Sequence, residues 1–124
     1  MTLTTWAMRS VYVDHVEWFD KVNGNTYFSA RVYVDGSEVA RLPFQYGYGS
    51  HVEFVAAQAL HVMGIVQTDE PEFLRIQHLR MCGVDVYMSH RTATKRETVA
   101  HGANITSPGR SHVMRSGIAT EVNA

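Results

Sequence analysis

Apolar residues recur mostly at every second position before residue 42, and at helical spacing after residue 50. The first pattern predicts strands and the second predicts a helix. Residues 8–19, rich in Val, Tyr, Trp and Phe, read as a first strand. Val22-Asn23-Gly24 suits a three-residue hairpin loop with Gly24 left-handed. Pairing Lys21 with Asn25 then sets Trp18 opposite Phe28 and Val16 opposite Ala30. The second strand, 25–34, alternates cleanly, with Phe28, Ala30, Val32 and Val34 on one face. Tyr27, Ser29, Arg31 and Tyr33 take the other face. Asp35-Gly36-Ser37 turns the chain into a third strand, 38–46. Aligning the apolar sides puts Phe44 opposite Phe28, Leu42 opposite Ala30 and Ala40 opposite Val32. A two-residue Asp-Gly turn is the rival register and would scramble those faces. Pro43 marks the third strand as an edge or as irregularly paired. The expected apolar layer is Trp18, Val16, Phe28, Ala30, Val32, Phe44 and Leu42.

A helix over 51–63 would cover that layer with Val52, Val55, Ala56, Ala59, Leu60 and Met63. Ser50 and Glu53 have the spacing of a capping box, and Gly64 suits the left-handed residue after the helix. Asp69-Glu70-Pro71-Glu72 resembles the start of a second helix. Phe73, Leu74, Ile76 and Leu79 would line its inner side, and Arg80 and Gly83 its end. Val84-Asp85-Val86-Tyr87-Met88 alternates as a short fourth strand that returns beside an earlier one. Beyond about residue 89, Ser, Thr, Gly, Asn and Arg dominate. The predicted fold is α+β, in the order β-β-β-α-α-β. Its three- to four-stranded antiparallel sheet would carry both helices on one face. Residues 1–99 form the domain, and 100–124 form a flexible tail or an interaction arm.

Composition narrows the class without naming it. At 124 residues and 45% hydrophobic, the chain has the means for one real core. A net charge of −1 argues against general affinity for polyanions. Acidic residues prevail before residue 75 and basic ones after it, which favours an acidic partner for the back part. Cys82 is the lone cysteine, so no internal disulfide forms and a reducing, cytoplasmic setting is expected. The N-terminus lacks the pattern of a secretion signal, and no apolar run is long enough to span a membrane.

Two surfaces could bind a ligand. Tyr46, Gly47, Tyr48, Gly49 and Ser50 lead into the first helix, where backbone N–H groups and the helix dipole favour an anion. The two tyrosines add aromatic faces, so a nucleotide would fit. The alternative is a tight strand-to-helix turn whose tyrosines pack over the core edge. The second surface is the polar sheet face, where the expected register sets His15, Arg31 and Arg41 side by side, with Tyr33 next along. Paired arginines repel unless an anion separates them, and either Glu17 or a bound phosphate would do so. Arginine plus aromatic on a sheet is also a single-strand nucleic-acid pattern. An ordinary solvated face is the alternative.

The histidines form no metal motif. His78 and Cys82 are four apart on the expected second helix, but two ligands are too few even with His90 in view, so no metal and no cofactor are expected. Asp14, Glu17 and Asp20 make no acid–base pair, and Cys82 lacks a nucleophile motif. The chain reads as a non-enzyme.

Trp18-Phe19-Asp20-Lys21-Val22-Asn23-Gly24-Asn25-Thr26-Tyr27 and Pro43-Phe44-Gln45-Tyr46-Gly47-Tyr48-Gly49 resemble a family of small uncharacterised proteins of bacteriophages and archaeal viruses. The resemblance covers about residues 8–65. It implies a viral or prophage origin and an accessory, non-structural role, and it brings no activity or catalytic residue. The expected function is non-catalytic binding of nucleic acid or a nucleotide-like anion. The alternative is an interaction factor that modulates a host protein.

Overall fold

A computed structural model describes residues 1–103 in full, and residues 110–115 and 118–123 as backbone strands. The elements are β1 (Leu3–Thr4), β2 (Ser10–Asp20), β3 (Asn25–Val34), β4 (Ser37–Tyr46), α1 (His51–Val62), β5 (Gln67–Thr68), β6 (Asp85–Thr92) and α2 (Lys95–His101). The class is α+β, as the hydrophobic pattern predicts. The central strands run in the order β6-β2-β3-β4, and β1 pairs with β5 in a separate small sheet. The backbone strands β7 (Arg110–Arg115) and β8 (Ile118–Asn123) continue the large sheet beyond β4. Most of the expected arm at 100–124 lies outside the fully described residues.

The sheet is mixed, which corrects the all-antiparallel expectation. β2, β3 and β4 form the expected meander, but β6 pairs with β2 in parallel. The connection explains this. α1 carries the chain back along the sheet from the end of β4, so the next strand must run the same way as β4, and therefore as β2.

The β2–β3 register differs by one residue from the expected one. Asp20, not Lys21, pairs with Asn25, so Trp18 meets Tyr27, Val16 meets Ser29 and His15 meets Ala30. The cause is Asp20. Its carboxylate accepts from the Val22 and Asn23 backbone N–H groups and from the Asn23 side-chain amide. Gly24 N–H then closes on the Asp20 carbonyl at 2.7 Å, which makes residues 21–24 the loop. Gly24 is left-handed as expected, with φ 72°. A one-residue slip exchanges the faces of β2. Val11, Val13 and His15 therefore face α1, whereas Val16 and Trp18 face away.

The β3–β4 pair reconciles both registers open in the sequence. Asp35 and Gly36 form a two-residue turn with φ 50° and 84°, and Val34 pairs with Ser37. An irregularity at Val39 then restores the apolar alignment of Val32 with Ala40 and Ala30 with Leu42. A second shift brings Phe28 opposite Gln45. It falls at Pro43, which has no N–H to give the ladder. Phe44 is thereby on the far face from Phe28, stacked on Tyr27 at 5.1 Å and 8°.

The main core lies between the sheet and α1. Val11, Val13, Phe28, Ala30, Val32, Ala40 and Leu42 meet Val52, Val55, Ala56, Ala59 and Leu60 there. The expected second helix is replaced by two 3₁₀ segments, Pro71–Phe73 and Ile76–Cys82. Leu74 and Arg75 are extended between them. Ile76 and Leu79, three apart, align on a 3₁₀ helix, and both are buried with Leu74. Phe73, expected inside, is exposed.

The helices lie on both faces of the sheet, not on one. α2 covers the face opposite α1. Thr94 caps it in a reciprocal box with Glu97, and Ser29 Oγ donates to the Thr98 carbonyl at 2.6 Å. Gly102 fits because a Cβ there would lie 2.5 Å from the Leu42 oxygen and 2.7 Å from Ser29 Cβ. Among the described residues no helix is long and apolar enough to cross a membrane.

Candidate functional site

The strand-to-helix loop at 46–51 separates two open cavities, and Ser50 lines both. The first, of about 370 Å³, is lined by Tyr46, Gly47, Tyr48, Ser50, His51 and Arg75. β4 ends at Tyr46, and Gly47 N–H donates to the Thr26 carbonyl at 3.1 Å. Gly47 is buried so tightly that a Cβ would stand 2.7 Å from both Phe28 and His51. This close approach turns the next residues outward. Tyr46 and Tyr48 are 56% and 67% exposed, with rings 6.4 Å apart at 75°. Gly49 takes φ 60°, and α1 begins two residues on. Ser50 makes no side-chain cap, so the expected capping box is absent. Its φ and ψ of −81° and 2° lie outside the extended region that a capping serine takes.

The polar sheet face is built differently from the sequence reading. Arg31 and Arg41 are directly paired and share a face, as expected. Arg41, however, is only 7% exposed, and α2 supplies what the pair needs. Arg31 Nε donates to the His101 carbonyl at 3.0 Å, and an Arg41 terminal N–H donates to the Ala103 carbonyl at 2.8 Å. Cations at the C-terminal end of a helix satisfy its free carbonyls. The counter-charge for Arg41 is Glu38, in a close ion pair, not Glu17. Asp14 stands opposite Arg31, where His15 was expected to lie alongside. Tyr33 shares this face but stacks on Tyr12 at 5.6 Å. The arginines therefore clamp α2 instead of forming an open basic patch.

His15 belongs to the other face and the second cavity. That cavity, of about 410 Å³, is lined by His15, Glu17, Gly49, Ser50, Val52, Glu53, Met88 and His90. His15 and Glu17 alternate onto one face of β2, and parallel pairing sets His90 of β6 beside His15. The imidazole centroids are 4.8 Å apart. Glu17 carboxylate oxygens lie 3.8 Å from His15 Nε2 and 3.5 Å from His90 Nε2. His15 is 5% exposed, edge-on to Phe28, and its Nε2 has no hydrogen-bond partner among the described residues. Burial, reinforced by His90, lowers its pKa from 6.5 to about 4, so the ring is neutral at pH 7.

His78 and Cys82 belong to no grouping of three or more close ligand-type side chains among the described residues. His78 Nδ1 accepts from the Arg75 backbone N–H, and the Cys82 thiol is exposed beside the Leu3 carbonyl.

Of the expected residues, the structure gathers Tyr46, Tyr48 and Ser50 in one cavity and Gly49, Ser50 and His15 in the other. Arg31, Arg41 and Tyr33 are elsewhere. Arg75 and His51 are not among the residues that the sequence singles out; His90 stands there only beside His78 and Cys82, and Glu17 only as a counter-charge to the arginines. The signal for Glu17 is present, since His15-x-Glu17 on a strand puts both side chains on one face. Arg75 arrives through the break between the 3₁₀ segments and has no local signature.

Comparison with family models, with curated proteins and with solved structures finds no match.

Proposed function

We propose that the protein binds a phosphate-bearing ligand with an aromatic base, a nucleotide or a nucleic-acid end, at the loop of residues 46–51. The observation that carries this is the single cavity shared by two exposed tyrosines, the first turn of α1, His51 and Arg75. Tyr46 and Tyr48 offer faces for a base, and stacking of this kind contributes about 1–3 kcal/mol per base. The Arg75 guanidinium and the helix N-terminus suit the phosphate. The role is binding and not catalysis. The resemblance of residues 8–65 supports an accessory protein of a phage or archaeal virus, acting in the host cytoplasm.

The test is a fluorescence titration with adenosine monophosphate and with a labelled oligothymidylate. Tighter binding of the monophosphate identifies a free nucleotide as the ligand, and tighter binding of the oligomer identifies nucleic acid. Arg75→Ala should weaken the preferred probe by roughly 10- to 150-fold, as the loss of a charged hydrogen bond does. Tyr48→Ala should weaken it similarly without loss of stability. Absence of binding by both probes, or affinity indifferent to both substitutions, would overturn the proposal.

A further inference from the structure

We propose that His15, Glu17 and His90 form a binding site for one divalent first-row transition ion, zinc being the reference case, with an open coordination position facing the cavity beside Ser50. The inference goes beyond the nucleotide reading and would stand without it.

The donor set is two imidazoles and one carboxylate, a combination suited to zinc and its neighbours. The three ligand atoms already lie within 4.8 Å of one another. Donors around a tetrahedral zinc stand about 3.3 Å apart, given bonds of about 2.0–2.1 Å. The Glu17 carboxylate reaches both rings, with one oxygen 3.8 Å from His15 Nε2 and the other 3.5 Å from His90 Nε2. His90, whose side chain is 53% exposed, has the room to draw the donors in to that spacing.

The buried member argues most strongly for an ion. His15 sits on the core side of the sheet with Nε2 unpartnered among the described residues and the Glu17 carboxylate beyond hydrogen-bond reach. An unsatisfied buried polar atom costs about 1–3 kcal/mol, so a histidine there calls for an explanation. A metal ion supplies it. Three protein ligands leave a position for water or a ligand oxygen, as in open zinc sites. The cavity that the three side chains line also has Ser50 and Glu53 on its wall, and Ser50 is shared with the tyrosine cavity.

The test uses the full chain after chelator treatment. Calorimetric titration with zinc chloride should give one ion per chain, and cobalt(II) should give the visible bands of a low-coordinate site. Loss of an outer-shell partner typically weakens a metal about 10- to 100-fold, so loss of a ligand should exceed that. His90→Ala, at an exposed position, and Glu17→Gln should each weaken zinc by more than about 100-fold while keeping the circular dichroism spectrum. His78→Ala should leave the affinity unchanged. No uptake, or uptake that survives both His90→Ala and Glu17→Gln, would overturn the proposal.

Discussion

Arg41 shows how a charge is held where little water reaches. Its guanidinium pairs with Glu38 and donates to the Ala103 carbonyl, so removal strands a carboxylate and a helix-end carbonyl together. Arg41→Ala should cost about 3–5 kcal/mol, as for other broken buried pairs, read by urea denaturation. Unchanged stability would return the residue to the role of a free basic group. Gly102→Ala tests the neighbouring contact. The added Cβ would meet backbone and Cβ atoms at 2.5–2.7 Å, so overpacking of about 1–3 kcal/mol is expected. His101 sets the response to acid. Its Nε2 lies 2.9 Å from the Asp14 carbonyl and 3.6 Å from the Asp14 carboxylate, with Arg31 and Arg91 nearby. Burial, reinforced by the two arginines, outweighs the Asp14 contacts and lowers its pKa below 6.5. As pH falls below 6.5, the unfolded chain takes up a proton that the folded one resists, so the fold loses stability. His15 contributes with the same sign. Melting temperature should therefore fall from pH 7.5 to pH 5, and His101→Gln should flatten that slope. A slope equal to the wild type would contradict the assignment.

Among the elements, the loop at 21–24 decides the most. Asn23-Gly24 announces a hairpin, and Gly24→Ala should cost about 1 kcal/mol for a side chain in the left-handed region, checked by thermal melting. The register depends on Asp20, however, because a side chain that caps its own loop lengthens it by one residue. Strand positions were legible, since β3 spans the expected residues and β2 and β4 differ only at their ends. Which face of β2 is buried was not. Val11, Val13 and Val16 are all fully buried, because α1 and α2 cover opposite faces. Alternation then loses its meaning. α2 is short and polar, and its core-facing groups are Thr98 and His101, which carry no helical apolar stripe. Its capping box, Thr94 to Glu97, was its one sequence signal. The direction of β6 follows from the crossover, which no local pattern encodes.

For the whole molecule, the sheet places two kinds of chemistry on either side of one loop. Tyr46 and Tyr48 were legible as candidates because glycines flank them at a change of hydrophobic period. Arg75, the cation of the tyrosine cavity, comes from a segment whose helical pattern breaks in the fold. The arginines at 31 and 41 read as a site because the helix that occupies them lies past the point where the apolar signal fades. The most direct test of the account is a two-dimensional NMR titration of the labelled full chain with adenosine monophosphate and oligothymidylate. Amide shifts concentrated at residues 46–51 and at Arg75, with Arg31, Tyr33 and Arg41 unmoved, are the predicted result. Shifts centred on Arg31, Tyr33 and Arg41, or none with either probe, would contradict it.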